Sequence, residues 1–147
     1  MSYICPKCST VVSQCVLPHE SAAPDLYCYR AHVTNVVDGD TCDCLVSCGL
    51  WITTDQRLRL CSSSGRGIDS PETRGPEREA GRAATKHLET LLTQMAGPGW
   101  PVYLRTFRDR RGKFGRLLAD VFVTTLEGPV SICDRMVRDG FAEMKDY

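Results

Sequence analysis

Val36-Val37-Asp38-Gly39-Asp40-Thr41-Cys42-Asp43-Cys44-Leu45-Val46-Ser47-Cys48 decides the class of the fold. In its second half Cys42, Cys44, Val46 and Cys48 recur with period two, while Thr41, Asp43, Leu45 and Ser47 face the other way. That alternation predicts a strand with one buried face. Cysteine is a small buried hydrophobe as readily as it is a ligand, so the regular spacing favours a core face over a metal site for this C-x-C-x3-C run. Ahead of it Tyr29, Ala31 and Val33 alternate toward the Val36-Val37 pair, and Asp38-Gly39-Asp40-Thr41 turns the chain between the two runs. The stretch therefore predicts a β-hairpin, and the rest of the chain closes a sheet around it.

Downstream, Gly49 starts a connection and Gln56 to Leu60 predicts a third strand. A polar segment comes next, Cys61-Ser62-Ser63-Ser64-Gly65-Arg66, flexible in composition. Gly67-Ile68-Asp69-Ser70-Pro71-Glu72 is extended up to Pro71, which cannot donate to a sheet ladder and ends the strand. Pro76 to Ala96 predicts a helix with Ala80, Ala83, Ala84, His87, Leu88, Leu91, Leu92 and Met95 on one stripe. On that stripe His87 reads as a core-edge histidine. Gly97-Pro98-Gly99 stops the helix. Trp100 to Phe107 and Gly115 to Thr124 are a fourth and a fifth strand around a charged hairpin, Arg108 to Lys113. Pro129 is expected to open a short second helix that Gly140 ends. The class is α+β: a five-stranded OB-type β-barrel with one long helix between strands 3 and 4 and a short helix after strand 5.

Residues 1–26 differ in character from the remainder of the chain and form a separate Cys/His-rich segment with a linker, ahead of a domain spanning 27–147. Cys5, Cys8, Cys15 and His19 give C-x2-C-x6-C-x3-H, ligand types that suit a structural Zn2+, although a second C-x2-C pair is missing. Two readings stand open, a small zinc knuckle or a leader whose thiols bind nothing.

The 147 residues carry 18 basic and 18 acidic side chains, so no global field attracts a polyanion. The charges are segregated, however. Residues 57–86 and 105–116 are basic, whereas 1–56 and 117–147 are acidic, which suits a local anion site. No segment has the apolar run of an export signal or a membrane span, so no membrane partner is expected. Nine cysteines without such a signal point to reduced thiols in the cytoplasm. A monomer is the default expectation.

Asp40, Asp69 and Glu72 stand at strand ends, a hard oxygen cluster if the turns converge. Taken singly, each acid could equally make an Asx-turn or cap the following helix. Together with Val-Val-Asp-Gly-Asp-Thr at 36–41, Arg-Leu at 59–60 and Gly-Ile-Asp-Ser-Pro-Glu at 67–72, the chain has Gly-Lys-Phe-Gly-Arg at 112–116 and Met-Val-Arg-Asp-Gly-Phe-Ala at 136–142. In this order, from about Ala31 to Met144, these fragments resemble the staphylococcal nuclease (thermonuclease) family.

The resemblance implies a Ca2+-dependent phosphodiesterase that hydrolyses DNA and RNA and leaves 3′-phosphate ends. Position by position it implies Asp40, Asp69 and the Ser70 carbonyl as calcium ligands, Glu72 as the holder of the attacking water, and Arg59 and Arg116 as the clamp on the scissile phosphate. Arg110 and Lys113 would steer the substrate, and Phe114 would stack on a base or simply pack. The alternative is a non-catalytic OB module that binds nucleic acid or protein. A phage or other mobile-element setting is compatible with the nuclease. One departure stands out: the family has a single residue where this chain has Cys61 to Arg66. The extra residues are expected to loop out. The reach from Arg59 to Asp69 then depends on that loop closing, with Arg57 and Arg66 as alternatives to Arg59.

Overall fold

The structure is a computed structural model that describes residues 27–111 and 117–146, side chains excepted at 108–111. Arg110, Lys113, Phe114 and Arg116 therefore lie wholly or by their side chains outside the described residues, as do Cys5, Cys8, Cys15 and His19.

The chain builds β1 (Cys28–Asp38), β2 (Thr41–Gly49), β3 (Ile52–Leu60), β4 (Gly67–Asp69), α1 (Arg78–Met95), β5 (Pro101–Arg111), β6 (Leu117–Thr125), β7 (Gly128–Ser131), α2 (Ile132–Arg138) and β8 (Glu143–Lys145). Strands β3, β2, β1, β5 and β6 follow one another antiparallel, and β6 returns to β3 in parallel register, Leu58 opposite Leu117 and Leu60 opposite Ala119. That last pairing closes a five-stranded mixed barrel of OB-like, α+β architecture. The long helix lies between the third and fourth barrel strands and the short one after the fifth, as the sequence predicts.

Alternation fills the interior. Ala31, Val33 and Val36 of β1, Cys42, Cys44 and Val46 of β2, and Leu58 and Leu60 of β3 are buried with Leu104, Val121 and Val123. Helix α1 covers one end with Ala84, Leu88, Leu91 and Leu92, and α2 adds Ile132, Cys133 and Met136. Cys42 and Cys44 are core residues with their sulfurs 3.6 Å apart, but Cys48 is exposed. The period-two pattern continues past it, yet the hairpin has by then outrun the barrel.

Other expectations shift with local chemistry. Pro129 sits in β7, not at the head of α2. The helix starts after Ser131, whose hydroxyl accepts the Asp134 amide and caps it. Gly140 ends α2 as expected, at φ 81°, and the Phe141 amide reaches back to the Met136 carbonyl. The stripe of α1 is rotated, since Gly81 is buried while Ala80 and Ala83 are exposed. His87 is indeed at the core edge, stacked on Phe141 with ring centroids 4.0 Å apart and bonded to Asp139 at 2.9 Å.

Candidate active site

The turn between β1 and β2 delivers Asp40 to a nearly closed environment. Its side chain is only 4% exposed. One carboxylate oxygen accepts the Thr41 hydroxyl at 2.9 Å, and the other accepts the Ser70 amide at 2.9 Å. Its own amide donates to Asp38, an Asx-type contact that holds the turn. Burial pushes the Asp40 carboxyl up to about 6, with Asp38 adding to the rise and the Ser70 amide and Arg59 opposing it.

Gly39 is what lets this turn approach. A Cβ there would stand 2.8 Å from the Cβ atoms of both Ala84 and Ser70. Gly81 plays the same part on the helix. A Cβ there would lie 2.3 Å from the Glu72 carbonyl oxygen and 2.7 Å from the Thr73 nitrogen. The two glycines thus press the Asp40 turn, the 70–73 segment and α1 into contact.

Arg59 pairs opposite Thr41 in the β2–β3 ladder, which aims its guanidinium between the two acids. One nitrogen, Nη2, lies 2.9 Å from Asp40 Oδ2 and 2.6 Å from Asp69 Oδ1. The other Asp69 oxygen takes the Lys145 ammonium at 2.6 Å. Burial raises the Asp69 carboxyl, but Lys145 and Arg59 together more than offset it and hold it below the usual carboxylate range.

The segment 61–66 loops out without displacing Arg59. Cys61 and Gly67 form an antiparallel bridge, and the Ser62 amide donates to the Arg66 carbonyl. Ser63 donates from its amide and hydroxyl to the Asp134 carboxylate on α2. Though polar in composition, the segment is tethered, with Cys61 and Ser62 buried. Neither alternative arginine takes the place of Arg59: Arg57 is bound to Asp43 at 2.6 Å and Arg66 to Asp146 at 2.9 Å.

Asp40, Asp69, Ser70 and Arg59 are therefore brought together. Glu72 lies further along the same segment, exposed, with its backbone against Gly81. Arg116 lies outside the described residues, while Leu117 after it pairs with Leu58, beside Arg59. Lys145 went unnoticed in the sequence because β8 has three residues, all exposed, and no periodicity. Its ladder with β4, Gly67 opposite Lys145, places it here.

A shared guanidinium nitrogen marks where two carboxylate oxygens converge, and both are hard donors of the kind calcium takes at 2.3–2.6 Å. In this structure the Arg59 guanidinium occupies the place between Asp40 and Asp69 that such an ion would need. Among the described residues no group of three or more His, Cys, Asp or Glu side chains forms a ready metal cage, so carbonyls and waters would have to complete the shell. A cleft of about 220 Å³ opens beside Asp69, lined also by Ser70, Pro71, Glu77 and Phe141. No protein-family profile matches the chain, and no curated protein matches it.

Proposed function

We propose that the chain is a calcium-dependent nuclease that hydrolyses phosphodiester bonds of DNA and RNA. The observation that carries this reading is the convergence of Asp40, Asp69, the Ser70 backbone and Arg59 on one barrel rim, with Glu72 three residues beyond Asp69. Asp40 and Asp69 would hold the ion, with the Ser70 carbonyl as a further donor. When bound, calcium supplies positive charge where the phosphodiester oxygens become more negative.

The protein residues do the rest. Glu72 is exposed and accepts a proton from a water within hydrogen-bond reach, so the water attacks phosphorus. The 5′ oxygen leaves, taking a proton from solvent to become a hydroxyl, and a 3′-phosphate remains. Arg59, which would have to leave the two acids for this role, and Arg116 would grip the phosphate oxygens through planar forks that a lysine cannot reproduce. Arg110 and Lys113 steer the strand electrostatically.

A specific observation favours a second reading, a non-catalytic nucleic-acid- or protein-binding OB module: Arg59 and Lys145 already neutralise both acids. Hydrolysis of single-stranded DNA with calcium, then with chelator, and by Glu72→Gln separates the two. The nuclease predicts activity that chelation and Glu72→Gln both abolish. Activity indifferent to both removes the mechanism, and binding without hydrolysis in every condition leaves the module.

A further inference from the structure

The β2–β3 hairpin extends beyond the barrel. From Ser47 to Thr53 every residue is exposed. At its tip Leu50, Trp51 and Ile52 are 87%, 102% and 57% exposed. Leu50 and Trp51 also hold φ of 51° and 59°, a left-handed conformation that bulky L-residues rarely adopt. Turns of this kind normally take Asn-Gly. The chain thus tolerates both backbone strain and full solvation to display two large apolar side chains at a protruding point, and backbone outliers of this kind cluster at functional sites.

The chemistry of the tip narrows its occupant. No charged residue occurs from Cys44 through Thr54, so the tip lacks the cations that a phosphate backbone or an anionic lipid surface requires. Three side chains on a convex tip fall far short of the roughly 20–30 residues each partner gives a standard protein interface. That weighs against a folded partner or a second copy of this chain. A bilayer needs no matching pocket. Aliphatic side chains enter the acyl boundary, and the indole rests at headgroup level with its N–H satisfied.

We propose that the β2–β3 tip is a surface anchor that inserts Leu50, Trp51 and Ile52 into the interface of a zwitterionic bilayer. The expectation of no membrane partner rested on the lack of an apolar span, and no described helix is long and apolar enough to cross a membrane. Surface docking by a hairpin needs neither. Thr41 pairs with Arg59 at the far end of the same two strands, about 25 Å away at ~3.3 Å per residue. A docked tip therefore leaves the Asp40 end facing solution, whatever chemistry that end performs.

The test is sedimentation of the full chain with phosphatidylcholine vesicles, combined with tryptophan emission. Trp51 should blue-shift on binding, while Trp100, half-buried and bonded to Thr93, gives a constant background. Trp51→Ser should lower partitioning roughly tenfold or more. The double variant Leu50→Asn, Trp51→Gly should abolish it while suiting the turn better, so unfolding cannot explain the loss; circular dichroism and melting temperature check this. The proposal is overturned by no partitioning of the wild type, by partitioning confined to anionic vesicles, or by partitioning that the double variant retains. A dimer or nucleic-acid complex that depends on Trp51 and forms without lipid also overturns it.

Discussion

Gly81→Ala puts two effects of opposite sign in competition. In an exposed helix interior, alanine is favoured over glycine by about 1 kcal/mol. At position 81, however, the added Cβ would stand 2.3 Å from the Glu72 carbonyl oxygen and 2.5 Å from its carbonyl carbon. Those are backbone atoms, so no side-chain rotation relieves the overlap. Restoring an ordinary contact means moving the 72–73 segment about 1 Å off α1, and overpacking of this kind typically costs ~1–3 kcal/mol. The net expectation is a loss of roughly 1–2 kcal/mol in urea denaturation, with Ala83→Gly at an exposed position of the same helix as the propensity control. Hydrolysis should fall more than stability does, since a displacement of ~1 Å at a positioning segment can cost ~10²-fold in rate. A Gly81→Ala protein that is more stable by ~1 kcal/mol and equally active would refute the claim that Gly81 seats the Glu72 segment.

Arg59→Met removes the cation shared by Asp40 and Asp69 and should cost ~3 kcal/mol at pH 8. The loss should be smaller at pH 5, because the Asp40 carboxyl, pushed up to about 6 by burial, is then protonated; equal losses at both pH values by denaturant titration would contradict this. Lys145→Ala takes the ammonium away from one Asp69 oxygen, and since Lys145 is half-exposed the exchange is worth ~0.2–1 kcal/mol. Calcium affinity by calorimetry should therefore rise by no more than about fivefold, and an unchanged or lower affinity means Lys145 does not compete for the site. Asp120 is buried against the Ser131 hydroxyl at 2.5 Å. Its carboxyl is pushed up to about 6 by burial, with Asp134 adding to the rise. Because the folded value lies above the unfolded one, its contribution to stability is full below about pH 4 and is lost as pH rises through about 6, by up to ~3 kcal/mol. Asp120→Asn should flatten that part of the melting-temperature profile, and a profile of unchanged slope would assign the dependence elsewhere.

The barrel was legible because β1 and β2 each bury one face, so period two shows directly in Ala31, Val33, Cys42, Cys44 and Val46. It misled at Cys48, where the alternation persists beyond the core that gives it meaning. Pro129 misled for a different reason: it suits a helix's first turn and an edge strand equally, and the deciding signal was the Ser131 cap with Asp134 three residues on. At the site, the acids and Arg59 were named through resemblance, and periodicity alone would have left them as turn residues. Gly81 had a readable signal, an isolated glycine in a run of good helix formers, which marks close approach. Lys145 had none, because a three-residue exposed strand carries no pattern and its partner is set by how β4 and α2 return the chain.

The bridge between Cys61 and Gly67 has a use beyond the site. Because the two ends of the 62–66 loop are already clasped, its length is uncoupled from the geometry of Arg59 and Asp69. Doubling such a loop costs only about 0.6 kcal/mol of closure entropy. The insert thus does two separable jobs: its clasped ends keep β3 and β4 in place, while Ser63 ties its middle to α2, so a peptide grafted here would preserve the strands only at the expense of the Ser63–Asp134 contact.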